Sequence, residues 1–280
     1  MKFIKMLVLA VALFSSVTAF AEGDKPAEIS VISYNIRLMK GKDGTNSWQY
    51  RYPASAMMIE DQMPDIFGLQ EAYAEQVKYM KEYTTGYKCV GVGREDGKSG
   101  GEHMSIFYKT KKIKLLEWGT YWLSETPDVP SMGWDAACKR TATWTLMKDK
   151  ASGKKFYYVN THLDHVGKEA QKNGLKLIVE NIRKMNKEGY PMILTGDFNI
   201  DHEDPILDEL NSMMTSCRVA AVKTDKGDTF NGWGKSTGVI IDHIYYSGFS
   251  SCPLFEVIRK PYMDRKYISD HYPVKAILVF

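Results

Sequence analysis

The chain has 280 residues, of which 44% are hydrophobic, with 37 basic and 34 acidic side chains. The first 21 residues hold two of the basic residues and no acidic one, so residues 22–280 carry 35 basic against 34 acidic side chains. Non-specific binding of nucleic acid depends on clustered Lys and Arg. The near-neutral charge excludes a polyanion-binding surface over the whole protein. It does not indicate nucleic acid as a partner, but a nucleic-acid substrate stays possible.

The first 21 residues have the pattern of a secretory signal peptide. Lys2 and Lys5 precede the apolar stretch 6–14, and Ala19-Phe20-Ala21 offers small residues for cleavage. Because the apolar stretch is too short to span a bilayer, we expect export to the periplasm or the medium and no transmembrane segment in the mature chain. Residues 22–280 contain no linker or repeat and are predicted to form a single domain. Export permits disulfides, and the sequence does not rank the pairings of Cys89, Cys138, Cys217 and Cys252.

Strands and helices are predicted along the whole chain from their periodicity. Runs rich in β-branched and aromatic residues predict strands at 29–35, 65–71, 87–93, 103–109, 114–122, 140–148, 155–161, 191–196, 239–246 and 273–279. Helical spacing of apolar residues occurs at 51–63, 73–84, 167–187 and 203–214. Strands alternate with helices at both ends, and hairpin-like strands fill the middle. This order favours a mixed α/β domain with two β layers over a barrel of regular βα units.

Residues 123–139 have no clear period and form the longest predicted loop. Loops of this length inside a compact domain are usually functional or disordered. This loop carries Trp134 and leads into Arg140, so we favour a loop that faces a substrate. A guanidinium suits a bidentate contact with phosphate, but Arg140 would equally suit the surface edge of a strand.

Short acidic, amide and imidazole residues follow the predicted strands again and again. Glu71 comes directly after an apolar strand, where an unpaired carboxylate is costly, so it needs a partner or a metal ion. Asp197 and Asn199 are one residue apart, so an extended segment would point both side chains the same way. Each residue alone also fits a turn or a strand cap. Histidines with a nearby Asp, His162 and His271, favour proton transfer or phosphate binding.

Six short motifs, taken together, resemble the endonuclease/exonuclease/phosphatase superfamily of deoxyribonuclease-like, metal-dependent phosphoesterases. They occur in the order seen in that superfamily, and the resemblance is nearest to its deadenylase-like branch. The motifs are Ser33-Tyr34-Asn35, Leu69-Gln70-Glu71, Asn160-Thr161-His162-Leu163, Gly196-Asp197-Phe198-Asn199, Ile241-Asp242-His243-Ile244 and Ser269-Asp270-His271. The resemblance implies a four-layer α/β/β/α sandwich of two mixed β-sheets flanked by helices.

The resemblance also implies roles for individual residues. Glu71, with Asn35 beside it, would bind Mg²⁺, with Mn²⁺ as an alternative. The catalytic group would comprise Asp197, Asn199, His162, His271, Asp242 and Asp270. Glu102 resembles a substrate-site glutamate of the deadenylase-like branch only loosely, and it would also suit a hairpin. Together with Arg140 and Trp134, which are candidates on their own chemistry and position, it completes the predicted substrate contacts.

The expected activity is hydrolysis of a phosphate ester, either a diester or a monoester, by in-line attack of an activated water. No nucleophilic Ser or Cys is needed for such a reaction. An exported endonuclease or 3′–5′ exonuclease is the alternative. A binding protein on the same scaffold is less favoured, because no motif has lost its functional residue.

Overall fold

The computed structural model describes residues 26–280, so the predicted signal peptide lies outside the described residues. The five helices of this part are α1 (Trp48–Gln62), α2 (Ala74–Tyr83), α3 (Lys168–Met185), α4 (Asp208–Met213) and α5 (Cys217–Ala220). The strands are β1 (Glu28–Asn35), β2 (Ile66–Gln70), β3 (Ala72–Tyr73), β4 (Tyr87–Val90), β5 (Glu102–His103), β6 (Ile106–Lys109), β7 (Ile113–Trp122), β8 (Thr141–Asp149), β9 (Lys155–His162), β10 (Met192–Asp197), β11 (Thr215–Ser216), β12 (Lys223–Thr224), β13 (Asp242–Ser247), β14 (Ser251–Val257) and β15 (Val274–Val279). Within residues 26–280, each helix is too short or too polar to cross a bilayer.

Two mixed sheets form the centre of the fold. The first has seven strands in the order β12-β14-β15-β1-β2-β6-β4, and the second has six in the order β11-β13-β10-β9-β8-β7. β1 pairs in parallel with β2 and antiparallel with β15, which places Ile29 opposite Leu278. β10 likewise pairs in parallel with β9 and antiparallel with β13. The two ends of the described chain therefore meet in the first sheet.

Alternation along the strands separates the inner and outer faces of each sheet. On β1, Ile29 and Val31 belong to the core between the sheets, whereas Ile32 and Tyr34 belong to a second core on the outer face. Successive side chains of a strand point to opposite faces. The same rule puts Phe156 of β9 in the inner core.

Helices cover both outer faces. Met58 of α1 and Met80 of α2 pack in one core with the outer face of the first sheet. On α3, buried apolar side chains recur with helical spacing, so that one stripe meets the second sheet; these are Leu175, Ile178, Val179 and Ile182. The predicted α/β/β/α sandwich is therefore confirmed.

The predicted strands and long helices are present with shifted ends. The strand predicted at 239–246 begins only at Asp242. The helix predicted at 203–214 divides into a 3₁₀ turn, Pro205–Leu207, and the short α4. β14 was not predicted, because Pro253 cannot donate to a neighbouring strand. The register of β14 against β15 shifts between Ser251 and Leu254, which accommodates that proline.

A buried hydrogen-bond network joins the two sheets below the polar strand ends. Gln70 of β2 donates from Nε2 to Asn160 Oδ1 on β9 at 2.7 Å, and Asn160 Nδ2 donates to the carbonyl of Leu69 at 2.9 Å. Thr195 donates to the same Asn160 oxygen. Gly68 makes this crossing possible, since a Cβ there would lie 2.5 Å from Asn160 Oδ1. Buried hydrogen bonds that cross between packed layers favour one relative placement of those layers, so these contacts hold the two sheets in register at this end.

Candidate active site

The polar side chains predicted as a site meet at one end of the sandwich. Asn35, His162 and Asp197 are the last residues of β1, β9 and β10, and Asp242 is the first residue of β13. Asp197 lies opposite both His162 and Asp242 in the strand register. Three neighbouring strands thus present their polar ends side by side, and Asn35 faces them from the other sheet.

Asn35 joins the two sheets at the site. Its Nδ2 lies 2.9 Å from Glu71 Oε1 and 2.9 Å from Asp197 Oδ2. Its Oδ1 accepts a hydrogen bond from the backbone N–H of Arg37 at 3.0 Å, which fixes the orientation of the amide. One amide group therefore holds a carboxylate from each sheet within reach of the same point.

Glu71 is held in place by its backbone as well as its side chain. Its φ angle is 62°, in the left-handed region, and its Oε2 accepts a hydrogen bond from the backbone N–H of Leu38 at 2.9 Å. Asn199, at φ 50°, is also left-handed. Such conformations cost about 1 kcal/mol or more each in residues other than Gly, and they persist where the surroundings demand them. Two of them at one site indicate that the site geometry is maintained against local preference.

Asp197 is a buried carboxyl group at the centre of the site. Burial, together with the nearby Asp242, raises its pKa to about 7, against the opposing influence of His271. Its Oδ1 accepts from the backbone N–H of Asn199 at 2.9 Å. Its Oδ2 faces His162 Nε2 at 3.4 Å and His271 Nε2 at 3.6 Å. A carboxyl with a pKa near neutrality can exchange a proton with water at working pH.

His271 and Asp242 form a buried ion pair. His271 Nδ1 donates to Asp242 Oδ2 at 2.9 Å. Burial lowers the pKa of His271, but the carboxylates of Asp242 and Asp197 outweigh it and raise the pKa to about 10. The imidazole is therefore positively charged at neutral pH, and its Nε2 lies 3.6 Å from Asp197 Oδ2.

His162 has the opposite character. Burial and the positive charges of Arg140 and Arg94 lower its pKa well below the usual value, so the ring is neutral. Its Nε2 lies 3.0 Å from the amide Nδ2 of Asn199. Since that amide donates, Nε2 accepts and the proton belongs on Nδ1. The site thus contains one charged imidazole and one neutral imidazole.

Arginines line the cavity above these groups, and each is paired with a carboxylate. Arg140 Nε lies 3.4 Å from Asp164 Oδ2, and Arg140 Nη2 lies 2.9 Å from His165 Nδ1. Arg37 pairs with Asp43 at 3.0 Å. The role of Asp164 and His165 could not be assigned from the sequence. Arg37 escaped prediction because it follows Asn35 in an irregular segment with no pattern of its own.

Two of the three predicted substrate residues line the cavity. Glu102 and Arg140 line the cavity. Trp134 is not among the cavity-lining residues of the described chain, and its backbone N–H donates to Glu125 at 3.3 Å. Its loop instead contributes Cys138 to the cavity wall. The role of Trp134 stays a prediction.

Asp270 is buried beside the site, but it does not pair with the neighbouring imidazole. Asp270 Oδ2 lies 3.5 Å from Arg37 Nη1. Its backbone carbonyl accepts hydrogen bonds from Asn231 and Gly232. Burial raises the pKa of Asp270, partly offset by the charge of His271. The structure therefore places Asp270 as a partner of Arg37, while Asp242 is the carboxylate that holds His271.

The whole arrangement surrounds a cavity of about 290 Å³. It is lined by Arg37, Leu38, Glu71, Arg94, Glu102, Cys138, Arg140, His162, His165, Asp197, Asn199, Phe230, Asp270 and His271. Pockets for small ligands begin at roughly this size, about 300 Å³. The cavity is therefore large enough for a small phosphate ester.

The donor atoms at the base of the cavity fit a divalent cation. One ligand atom each from Glu71, His162 and Asp197 lies within 4.8 Å of the others. Carboxylate oxygens are the ligands that Mg²⁺ prefers. Asn35 turns its Nδ2 rather than its oxygen towards the carboxylates, so coordination by Asn35 would require its amide to rotate. Glu71 is the residue best placed to hold the cation.

Two packed mixed sheets with a metal-compatible cavity at the strand ends, lined by paired arginines and carboxylates, define a phosphoesterase fold and site. Residues 32–271 match the Endonuclease/Exonuclease/phosphatase family, and the chain belongs to this family. Members of the family are divalent-metal-dependent hydrolases of phosphate esters. The family assignment predicted from the six motifs is confirmed.

Solved structures of similar proteins extend the comparison. A mannosyl-6-phosphatase of Bacteroides thetaiotaomicron is 39% identical, with a TM-score of 0.85, over 90% of this chain and 100% of that chain. An endonuclease/exonuclease/phosphatase protein of Bacteroides vulgatus is 35% identical, with a TM-score of 0.85, over 90% of this chain and 98% of that chain. The catalytic domain of human nocturnin is 20% identical, with a TM-score of 0.68, over 91% of this chain and 94% of that chain. The nocturnin likeness supports the fold alone.

Proposed function

We propose that this protein is an exported, divalent-metal-dependent phosphatase that hydrolyses phosphate monoesters of sugars. The observation that carries this proposal is the Asn35 amide, which brings Glu71 and Asp197 to one point beside a charged His271. Support for the monoester comes from the similar mannosyl-6-phosphatase and from the small volume of the cavity. Support for export comes from the amino-terminal sequence pattern.

Asp197 is the group that activates water in this proposal. Its raised pKa of about 7 lets it accept a proton at neutral pH. The backbone N–H of Asn199 holds Oδ1 and the Asn35 amide holds Oδ2, so the carboxylate is fixed in orientation and a second lone pair of Oδ2 orients the water. Positioning of this kind supplies much of the acceleration in phosphoryl transfer.

Charge on the phosphoryl oxygens is balanced by the surrounding donors. His271, kept protonated by Asp242, and the guanidinium of Arg140 supply positive charge and hydrogen bonds where negative charge develops. A divalent cation on Glu71 would offset further charge on the phosphoryl and leaving oxygens. Neutral His162 adds no charge beside Asp197, and its Nδ1 proton lies on the side of Glu102.

A panel of phosphate esters tests the proposal. The purified protein without residues 1–21 is assayed with mannose 6-phosphate, p-nitrophenyl phosphate and bis-p-nitrophenyl phosphate, each with Mg²⁺, Mn²⁺ or EDTA. We expect metal-dependent release of phosphate from the monoesters and little cleavage of the diester. Absence of hydrolysis with every metal would refute the proposed function.

A nuclease is the second candidate, because structures with the same fold include a TDP2 of D. rerio complexed with a single-stranded DNA product, at 18% identity and a TM-score of 0.72. This likeness supports the fold alone. Cleavage of a polynucleotide should fall steeply with salt concentration, whereas hydrolysis of a small ester should change little. Salt titration of single-stranded DNA cleavage and of sugar-phosphate hydrolysis therefore separates the two candidates.

A further inference from the structure

One side of the cavity is formed by a tight loop, residues 93–102, that holds Arg94 and Glu102 face to face. The backbone N–H of Arg94 donates to the carbonyl of Glu102 at 2.9 Å. The side chain of Arg94 donates from Nη1 to Glu102 Oε2 at 2.7 Å. Asp96 accepts backbone hydrogen bonds within the loop at 2.8 and 2.9 Å. Gly93 lies so close to the returning chain that a Cβ would overlap the carbonyl of Gly100. The loop backbone therefore holds the Arg94–Glu102 pair in place before any ligand binds.

Several polar atoms of this side lack partners among the described residues. Arg94 Nε and His162 Nδ1 are buried and form no hydrogen bond within residues 26–280. Glu102 is 5% exposed, and the described hydrogen bonds use only its Oε2. Glu102 Oε2 lies 3.9 Å from His162 Nδ1. Arg94 Nε faces Glu95 Oε1 at 3.6 Å. Since buried polar atoms are normally hydrogen-bonded, the His162 Nδ1 donor and the second oxygen of Glu102 are the groups here that a ligand can pair with.

The charge of this wall indicates which kind of ligand group it suits. Glu102 neutralises Arg94 at 2.7 Å, so this pair carries no net positive charge. A second phosphate, such as the next phosphate of a nucleic acid, would need cations that are not already paired. A hydroxyl group both donates and accepts, and it carries no charge. A neutral pair of one carboxylate and one guanidinium therefore suits hydroxyl groups.

The pair also lies beside the reacting centre rather than at it. His162 separates the pair from Asp197, with its Nδ1 on the Glu102 side and its Nε2 on the Asp197 side. A group bound at Glu102 would thus be joined to the phosphate and not part of it. We propose that Arg94 and Glu102 bind hydroxyl groups of the alcohol that carries the phosphate, and that they set a preference for sugar and polyol phosphates. This inference rests on the proposed phosphatase function.

Two variants and a matched control test the inference. Glu102→Gln removes the acceptor charge that a hydroxyl would use, and Glu95→Gln removes a carboxylate 3.6 Å from the same arginine, Arg94, on a half-exposed side chain outside the cavity lining. The values of kcat and KM are measured for mannose 6-phosphate and for p-nitrophenyl phosphate, which has no hydroxyl groups. In Glu102→Gln, we expect kcat/KM for mannose 6-phosphate to fall at least ~10-fold further than for p-nitrophenyl phosphate, mainly through KM. In Glu95→Gln, the ratio should stay unchanged.

The unaltered protein provides a test that does not depend on a variant folding. Deoxy analogues of mannose 6-phosphate, each lacking one hydroxyl, are compared with the parent sugar phosphate. At least one analogue should lose ~10-fold or more in kcat/KM, because the buried partners of its missing hydroxyl are left unpaired. Equal values for all analogues, or an equal fall for both substrates in Glu102→Gln, would overturn the inference. Absence of phosphatase activity in the unaltered protein would instead refute the proposed function.

Discussion

Asp242 accepts a hydrogen bond from Nδ1 of His271 at 2.9 Å, and this buried contact sets the charge of the imidazole. The backbone N–H of Asp242 donates to Thr229 Oγ1 at 3.0 Å, so the backbone that carries the carboxylate is held in place. The two residues lie on different segments of the chain, at the start of β13 and just before β15. Their pairing determines that His271, rather than His162, is the cationic histidine of the site.

The first prediction concerns the pH dependence that follows from this pair. Asp242 is the main cause that raises the pKa of His271 to about 10, so Asp242→Asn should lower that pKa. The imidazolium would then lose its proton at a lower pH, and the alkaline fall in activity should begin at a lower pH than in the unaltered protein. The measurement is the pH profile of kcat, with the titration of His271 followed by NMR.

A carboxylate beside another histidine gives the control for this experiment. Asp201 lies 3.0 Å from His202 on the surface, outside the cavity. Asp201→Asn should leave the profile unchanged. An alkaline limb that does not move in Asp242→Asn would contradict the assigned role of His271.

The second prediction concerns the two groups assigned to the chemistry. Asp197→Ala and His271→Ala should each lower kcat by at least ~100-fold, because each removes a positioned base or charge stabiliser. Each is one side chain at the strand ends rather than in the apolar cores, so the fold should persist. Activity is measured together with circular dichroism, which checks that each variant is folded. A folded variant with full activity would refute the assignment.

The third prediction concerns the metal ion. EDTA should abolish activity, and added Mg²⁺ should restore it, because the carboxylates at the base of the cavity need a cation to act on a phosphate. Glu71→Gln should raise the Mg²⁺ concentration needed for half-maximal activity by at least ~10-fold, since a metal-ligand carboxylate is lost. The control is Glu75→Gln on the exposed side of α2. Equal Mg²⁺ requirements in both variants would exclude Glu71 as a ligand.

The fourth prediction compares one substitution at two glycines. A Cβ at Gly68 would lie 2.5 Å from Asn160 and from the hydroxyl of Tyr158, so Gly68→Ala should destabilise the protein by about 2 kcal/mol or more. A Cβ at Gly174, inside α3, meets Leu123 at an ordinary 3.5 Å, so Gly174→Ala should stabilise it by about 0.5–1 kcal/mol. Urea unfolding measures both free energies. The same sign at both positions would contradict the network between the sheets.

Much of this site could be predicted because strands impose a period of two. Asn35, His162 and Asp197 each end a run of mostly buried residues that is rich in apolar side chains. The sequence alone thus indicated which side chains would stand at strand ends, and the order of the six motifs indicated the family. β14 escaped because its proline and shifted register break that period.

The sequence by itself determined most of the long strands, the outer helices and the polar residues at the strand ends, since these follow from local periodicity and turn chemistry. Only the tertiary structure decided which polar residues touch. Asn35 and Asp197 are 162 residues apart and meet through the packing of two sheets, and the pairing of Asp270 with Arg37 instead of His271 depends on the same packing. Contacts across a packed interface depend on how two surfaces fit together, and that fit has no local signature in the chain.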